Sequence, residues 1–113
     1  MNYREVAQQF GDCIVRNDYA SAWSLLTMPL QSSTSPEAIE KAVITMSAHA
    51  TGAIVTAQVM EDCVLEDWPG KQARDLAVVY VALNGDSFSE AVSLTLAEVG
   101  DSILIRNLEW GRP

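Results

Sequence analysis

This sequence predicts an α+β fold: three N-terminal helices packed on one face of a curved four-stranded antiparallel sheet, a half-open cone. Three observations carry that expectation. The last third, residues 74 to 110, reads as three strands joined by two tight turns. The first half carries apolar stripes at helical spacing. Helical and strand signals do not interleave, which is the order of an α+β domain and not of repeated βαβ units.

In chain order, Val6, Phe10, Cys13 and Ile14 form the first amphipathic stripe. The phase breaks at Arg16-Asn17-Asp18, where Asn or Asp suits the cap of a second, short helix. That helix carries Tyr19, Ala22, Trp23 and Leu26 and stops before Pro29. Residues 31 to 35 read as a polar loop. Ser35-Pro36-Glu37 then opens a third helix, with Ser as cap, Pro in the first turn and Glu at the positive end of the dipole. Its buried stripe is Ile39, Ala42, Val43, Met46 and Ala50, and Gly52 is placed to end it. Residues 53 to 67 read as one long strand, and Trp68-Pro69-Gly70 as a turn. Arg74–Leu83, Ser87–Val99 and Ser102–Trp110 complete the sheet, with Asn84-Gly85-Asp86 and Gly100-Asp101 as the hairpin turns. Phe10, Trp23, Val43 and Met46 are expected in the core with Val79, Val92 and Leu94.

The 113 residues make one domain, 1–113, long enough to enclose a core of its own. Hydrophobic residues at 49% and charged residues at 19% are ordinary for a globular chain. Seven Lys plus Arg stand against fifteen Asp plus Glu, a formal charge of −8. That argues against nucleic acid and against an anionic membrane as partners. Cys13 and Cys63 lack a Cys-x-x-Cys spacing, so they read as two small apolar residues, with a disulfide as the alternative. The opening residues lack a signal-peptide apolar segment and no window spans a bilayer, so a cytoplasmic protein is expected.

The opening Phe10…Asp18-Tyr19-Ala20-x-Ala22-Trp23-x-Leu25-Leu26 resembles the helical start of the nuclear-transport-factor-2-like, cystatin-like α+β superfamily. Gly85-Asp86-Ser87-Phe88-Ser89-Glu90 and the ending Leu108-Glu109-Trp110-Gly111-Arg112-Pro113 resemble it too. The likeness covers most of the chain and rests on element order and scattered residues. It implies a cone with a cavity between sheet and helices, and dimers formed through the other side of the sheet. Members include ketosteroid isomerases, scytalone dehydratase, polyketide cyclases and transport adaptors, so the fold alone does not choose a function. The dehydratases use paired histidines with an Asp, whereas His49 is the only histidine here. The isomerases use a Tyr with two acidic residues, and Tyr3, Tyr19 and Tyr80 match that arrangement at no position. No catalytic residue is carried over.

A two-residue turn at each hairpin sets Asn84 opposite Ser87 and Val99 opposite Ser102. One face then holds Ala77, Val79, Val81, Leu83, Phe88, Val92, Leu94, Leu96, Ile103 and Ile105, and should meet the helices. It also holds Glu90, Asn107 and Glu109, a candidate ligand-binding trio at the cavity mouth, since polar groups on an apolar face are costly without partners. The plain alternative is that the trio is wet at the rim. The opposite face holds Leu76, Val78, Tyr80, Ala82, Ser89, Ala91, Ser93, Thr95, Ala97, Leu104, Arg106, Leu108 and Trp110. Tyr80, Ala91, Ser93, Thr95, Arg106, Leu108 and Trp110 are the candidate homodimer interface, with small residues on the middle strand letting two sheets approach. Glu61, Asp62, Glu66 and Asp67 lack the spacing of a calcium loop and read as a solvated edge. Phosphate-binding glycine loops and a Gly-x-Ser-x-Gly motif are absent, and no cofactor or metal is expected.

Two functions follow. One is a binding or assembly module that homodimerises and holds a small apolar ligand or a partner protein. The other is a small-molecule isomerase, cyclase or hydrolase using Glu90 and Glu109 at the cone mouth.

Overall fold

The structure, a computed structural model, describes residues 2–48, 54–85 and 89–111. Among the described residues, four α-helices precede an open four-stranded antiparallel sheet. The helices are α1 (Tyr3–Val15), α2 (Tyr19–Ser24), α3 (Met28–Ser33) and α4 (Pro36–Met46). The strands are β1 (Ile54–Val59), β2 (Asp75–Gly85), β3 (Ser89–Val99) and β4 (Ser102–Trp110), lying side by side in sequence order.

The helix starts follow the sequence signals. Asn2, Asp18 and Ser35 each accept a hydrogen bond from a backbone N–H of the first turn they cap. Asn17 adopts a left-handed φ of 58°, which turns the chain between α1 and α2. The helix count differs from the expected three. Pro29, expected to stop a helix, sits in the first turn of α3, where its missing N–H costs nothing. Helix α4 ends at Met46, with the Ser47 hydroxyl donating to the Val43 carbonyl at 2.8 Å. Ala50, Gly52 and His49 lie outside the described residues, as do Ser87 and Phe88.

The long strand expected over residues 53 to 67 is only β1. Glu61–Cys63 form a single 3₁₀ turn, and Leu65 then makes a lone bridge to Val78. The Trp68–Lys71 turn has the expected form: the Lys71 N–H donates to the Trp68 carbonyl and Gly70 has a φ of 86°.

The sheet has a core face and an outer face. Ala77, Val79, Val81, Leu83, Val92, Leu94, Leu96 and Ile105 are wholly buried on the core face. Against them pack Val6, Ala7, Phe10 and Ile14 of α1, Ala22 of α2, Leu26, and Ile39 and Val43 of α4. Trp23 and Met46 are half-buried at the margin of this cluster. Gly11 lets α1 lie directly on the sheet. A Cβ there would come 2.7 Å from the Ala57 Cβ and 2.9 Å from Val81 Cγ1.

Each sheet edge is partly covered. The Gln8 amide donates to the Ala57 carbonyl at 2.8 Å and accepts from the Val59 N–H at 3.2 Å along β1. On β4, Ile105 exchanges hydrogen bonds with the chain at Leu25 and Thr27. Cys13 and Cys63 are free thiols. Among the described residues, no helix is long and apolar enough to cross a membrane.

Candidate functional site

The site begins with the register of β4. Val99 pairs with Ser102 and Leu96 with Ile105, as a Gly100-Asp101 turn requires. Then the register slips. Thr95 pairs with Asn107, Leu94 with Leu108 and Val92 with Trp110, so β4 carries one extra residue at Arg106. Such a bulge exchanges the faces of everything beyond it. The other hairpin shows the contrast. Asn84 pairs with Ser89, two residues beyond the expected Ser87, and a slip of two leaves every face unchanged.

The bulge separates the candidate ligand-binding trio. Glu90 lies opposite Leu83 on the core face and is half-buried. Asn107 and Glu109 lie opposite Thr95 and Ser93 on the outer face, both exposed. The expected convergence at one cavity mouth does not occur. The same slip corrects the candidate interface. Leu108 and Trp110 pack with the core, while Tyr80, Ala91, Ser93, Thr95 and Arg106 stay on the outer side. Ala91 and Thr95 are already buried within one chain.

What holds the bulge is an ion pair that the sequence reading missed. Arg106 donates from Nε and Nη2 to the two carboxylate oxygens of Asp75 at 2.7 and 2.8 Å. The Gln72 N–H adds a third hydrogen bond to that carboxylate at 2.8 Å. The Asp75 side chain is 1% exposed and that of Arg106 30%. Burial pushes the Asp75 carboxyl up. The Arg106 hydrogen bonds, the Gln72 N–H and the charges of Arg106 and Lys71 outweigh it and hold the group below its ordinary value. A charged, fork-shaped pair of this kind fixes backbone position more firmly than a neutral contact.

With Trp110 turned inward, a groove opens between α4 and the end of β4. It measures about 510 Å³ and is lined by Ala38, Lys41, Ala42, Thr45, Met46, Trp110 and Gly111. Helix α4 supplies its wall because it shows two adjacent rows. Ile39 and Val43 enter the core, and Ala38, Ala42 and Thr45 run beside them toward the groove. The small alanines leave the space. The Trp110 ring rests on Phe10, with centroids 6.1 Å apart and planes inclined by 41°. Gly111 donates its N–H to the Ala91 carbonyl at 2.7 Å, which anchors the end of the strand. A concave, mainly apolar space of this size is typical of small-molecule sites, which run to about 300–1,000 Å³. Among the described residues that line it, Lys41 alone is titratable. An Ala-Ala-Thr row at positions i, i+4 and i+7 was the sequence signal for this wall.

Elsewhere, burial raises the pKa of the Cys13 thiol, with Arg16 Nη2 at 3.6 Å from its sulfur. A thiol shifted that way is a poor nucleophile. Glu61 pairs with Arg4 at 2.8 Å, and Glu66 accepts from the Tyr3 hydroxyl at 3.1 Å. Those acidic residues thus tie the loop after β1 to the start of α1. Among the described residues, no three His, Cys, Asp or Glu side chains are grouped to hold a metal ion. No family model, no curated protein and no solved structure matches the chain.

Proposed function

We propose that this protein is a small binding module of the nuclear-transport-factor-2-like, half-open-cone type, which holds a small apolar ligand in the groove between α4 and the end of β4. The observation that carries the reading is the groove itself. A tryptophan is turned toward it by a bulge, and its other wall is built from alanines and Met46. The enzyme alternative needed Glu90 and Glu109 together at one mouth. Their placement on opposite faces removes its motivation.

Pairing with a second copy through the outer face belongs to the same proposal. Each sheet edge is partly covered, by Gln8 on β1 and by Leu25 and Thr27 on β4, which favours the face as the surface for sheet-to-sheet contact. Val78, Tyr80, Ala82, Ala97 and Leu104 supply its apolar part, with Ser93 central. Asn107 and Glu109 make it more polar than the sequence suggested, and suit a rim. A cytoplasmic location is also proposed, and the two free thiols support it.

Two measurements test this. Ligands from a metabolite collection should raise the melting temperature, and Ala42→Trp, which fills the groove, should abolish the rise. Light scattering on a sizing column should give twice the chain mass, and Ser93→Arg should halve it. A monomer at tens of micromolar removes the pairing. A ligand that still stabilises Ala42→Trp removes the groove.

A further inference from the structure

The charged side chains of α4 are sorted to two sides. Glu37 and Glu40 line a separate depression with Asn17, Asp18 and Tyr19. Burial, and behind it the charge of Glu40, raises the pKa of the Tyr19 hydroxyl, which sets Glu40 on that side. Lys41 is turned the other way, to the groove. Among the described residues its ammonium has no ion-pair partner. Thr45 is one helical turn further on and lines the same space. The chain carries a formal charge of −8, so its surface repels anions in general. An unpaired cation beside an apolar groove is a local exception to that field.

We infer that the groove takes a small amphipathic monocarboxylate. Its apolar body lies against Ala42, Met46 and Trp110, and its carboxylate meets the Lys41 ammonium, with the Thr45 hydroxyl as a second donor. The inference rests on the groove being a ligand site. One ammonium and one hydroxyl suit a single negative charge. Phosphate groups, with more charge and more acceptor oxygens, call for clustered arginines or several backbone N–H donors. The volume of about 510 Å³ suits a bicyclic or medium-chain acid and is small for a two-chain lipid.

Naphthoate is a suitable probe, with naphthylmethanol and naphthylmethylamine as neutral and cationic partners of similar shape. Binding is read by titration calorimetry and by the indole N–H resonance of Trp110, identified by its loss in Trp110→Phe. Naphthoate should bind more tightly than the alcohol, and the amine most weakly. Lys41→Met should weaken naphthoate by about fivefold, the scale of one partly exposed charge contact, and leave the alcohol unchanged. Because Lys41 is exposed, the variant should melt as the parent does. If alcohol and carboxylate bind alike in the parent and both move Trp110, the groove stands and the carboxylate inference falls. If no probe moves the Trp110 resonance, both fall.

Discussion

Strand β4 behaves as two short strands joined at Arg106. Before it, Ile103 and Ile105 point to the core face in step with Leu96 of β3. After it, Leu108 and Trp110 take the core side, and Asn107 and Glu109 face out. The first half obeys simple alternation from the Gly100-Asp101 turn. The second half obeys it too, but from a new origin. That origin is set by one buried carboxylate, Asp75, two strands away. A sheet face is therefore decided by more than local pattern. A single charge pair strong enough to hold a bulge re-addresses every side chain beyond it.

Breaking that difference should be most costly where the second half is shifted by one place. Inserting an alanine between Arg106 and Asn107 moves residues 107 to 110 one place along β3, setting Asn107 opposite Leu94 and Glu109 opposite Val92, and presses both toward the core. The insertion chain should lose its cooperative melt. A normal melt would mean the bulge can take up a second residue. Arg106→Met keeps the residue count but leaves Asp75 buried without its cation, and should cost about 2–4 kcal/mol by denaturant titration.

Neighbouring substitutions sharpen the contrast within the second half. Trp110→Ala should cost about 2–4 kcal/mol, somewhat less than a fully enclosed tryptophan because one side borders the groove. Glu109→Ala should stay within about 0.5 kcal/mol of the parent. The reverse order would restore the uninterrupted register. Gly11→Ala probes the seat of α1 on the sheet by driving a methyl into Ala57 and Val81. It should cost about 1–3 kcal/mol.

The smallest effect is one of acid sensitivity. The folded Asp75 carboxyl titrates below its unfolded value. Its contribution is therefore complete above about pH 4 and is lost as pH falls from there toward the folded pKa. Asp75→Asn removes that group, so its stability should fall less steeply below about pH 4 than the parent's. Parallel slopes would show that other carboxylates dominate the acid limb.

Much of this arrangement was legible beforehand, and the limits have physical causes. The caps at Asp18 and Ser35, the break at Asn17, the Trp68–Lys71 turn and the meander each depend on neighbours within four residues. The core face of β2 and β3 was readable because the hairpin differed from expectation by an even number. Helix α3 was missed because Pro29 stops one helix and suits the first turn of the next, and sequence alone does not say which. The trio Glu90, Asn107 and Glu109 failed because its geometry depended on a partner for Arg106 that lies 31 positions away in the chain. The groove was half visible, in the small residues of α4. Its other wall required knowing which way Trp110 points.

The Gln8 amide on β1 links two hazards that are separate in many sheets. An open strand edge invites a strand from another chain, and such pairing is the usual first step toward ordered aggregates. Here the guard over that edge is carried on α1, the helix that also supplies Phe10 and Ile14 to the core. The edge cannot be uncovered by α1 leaving without the core opening with it, and a small fluctuation of either is resisted by both. Exposure of the edge at Ala57 and Val59 is thereby tied to opening of the α1 core. The Val59 amide should accordingly exchange with solvent deuterium at the pace of the α1 core amides, and Gln8→Ala should release it to exchange ahead of them. Prompt exchange at Val59 in the parent chain would show that the edge opens by itself.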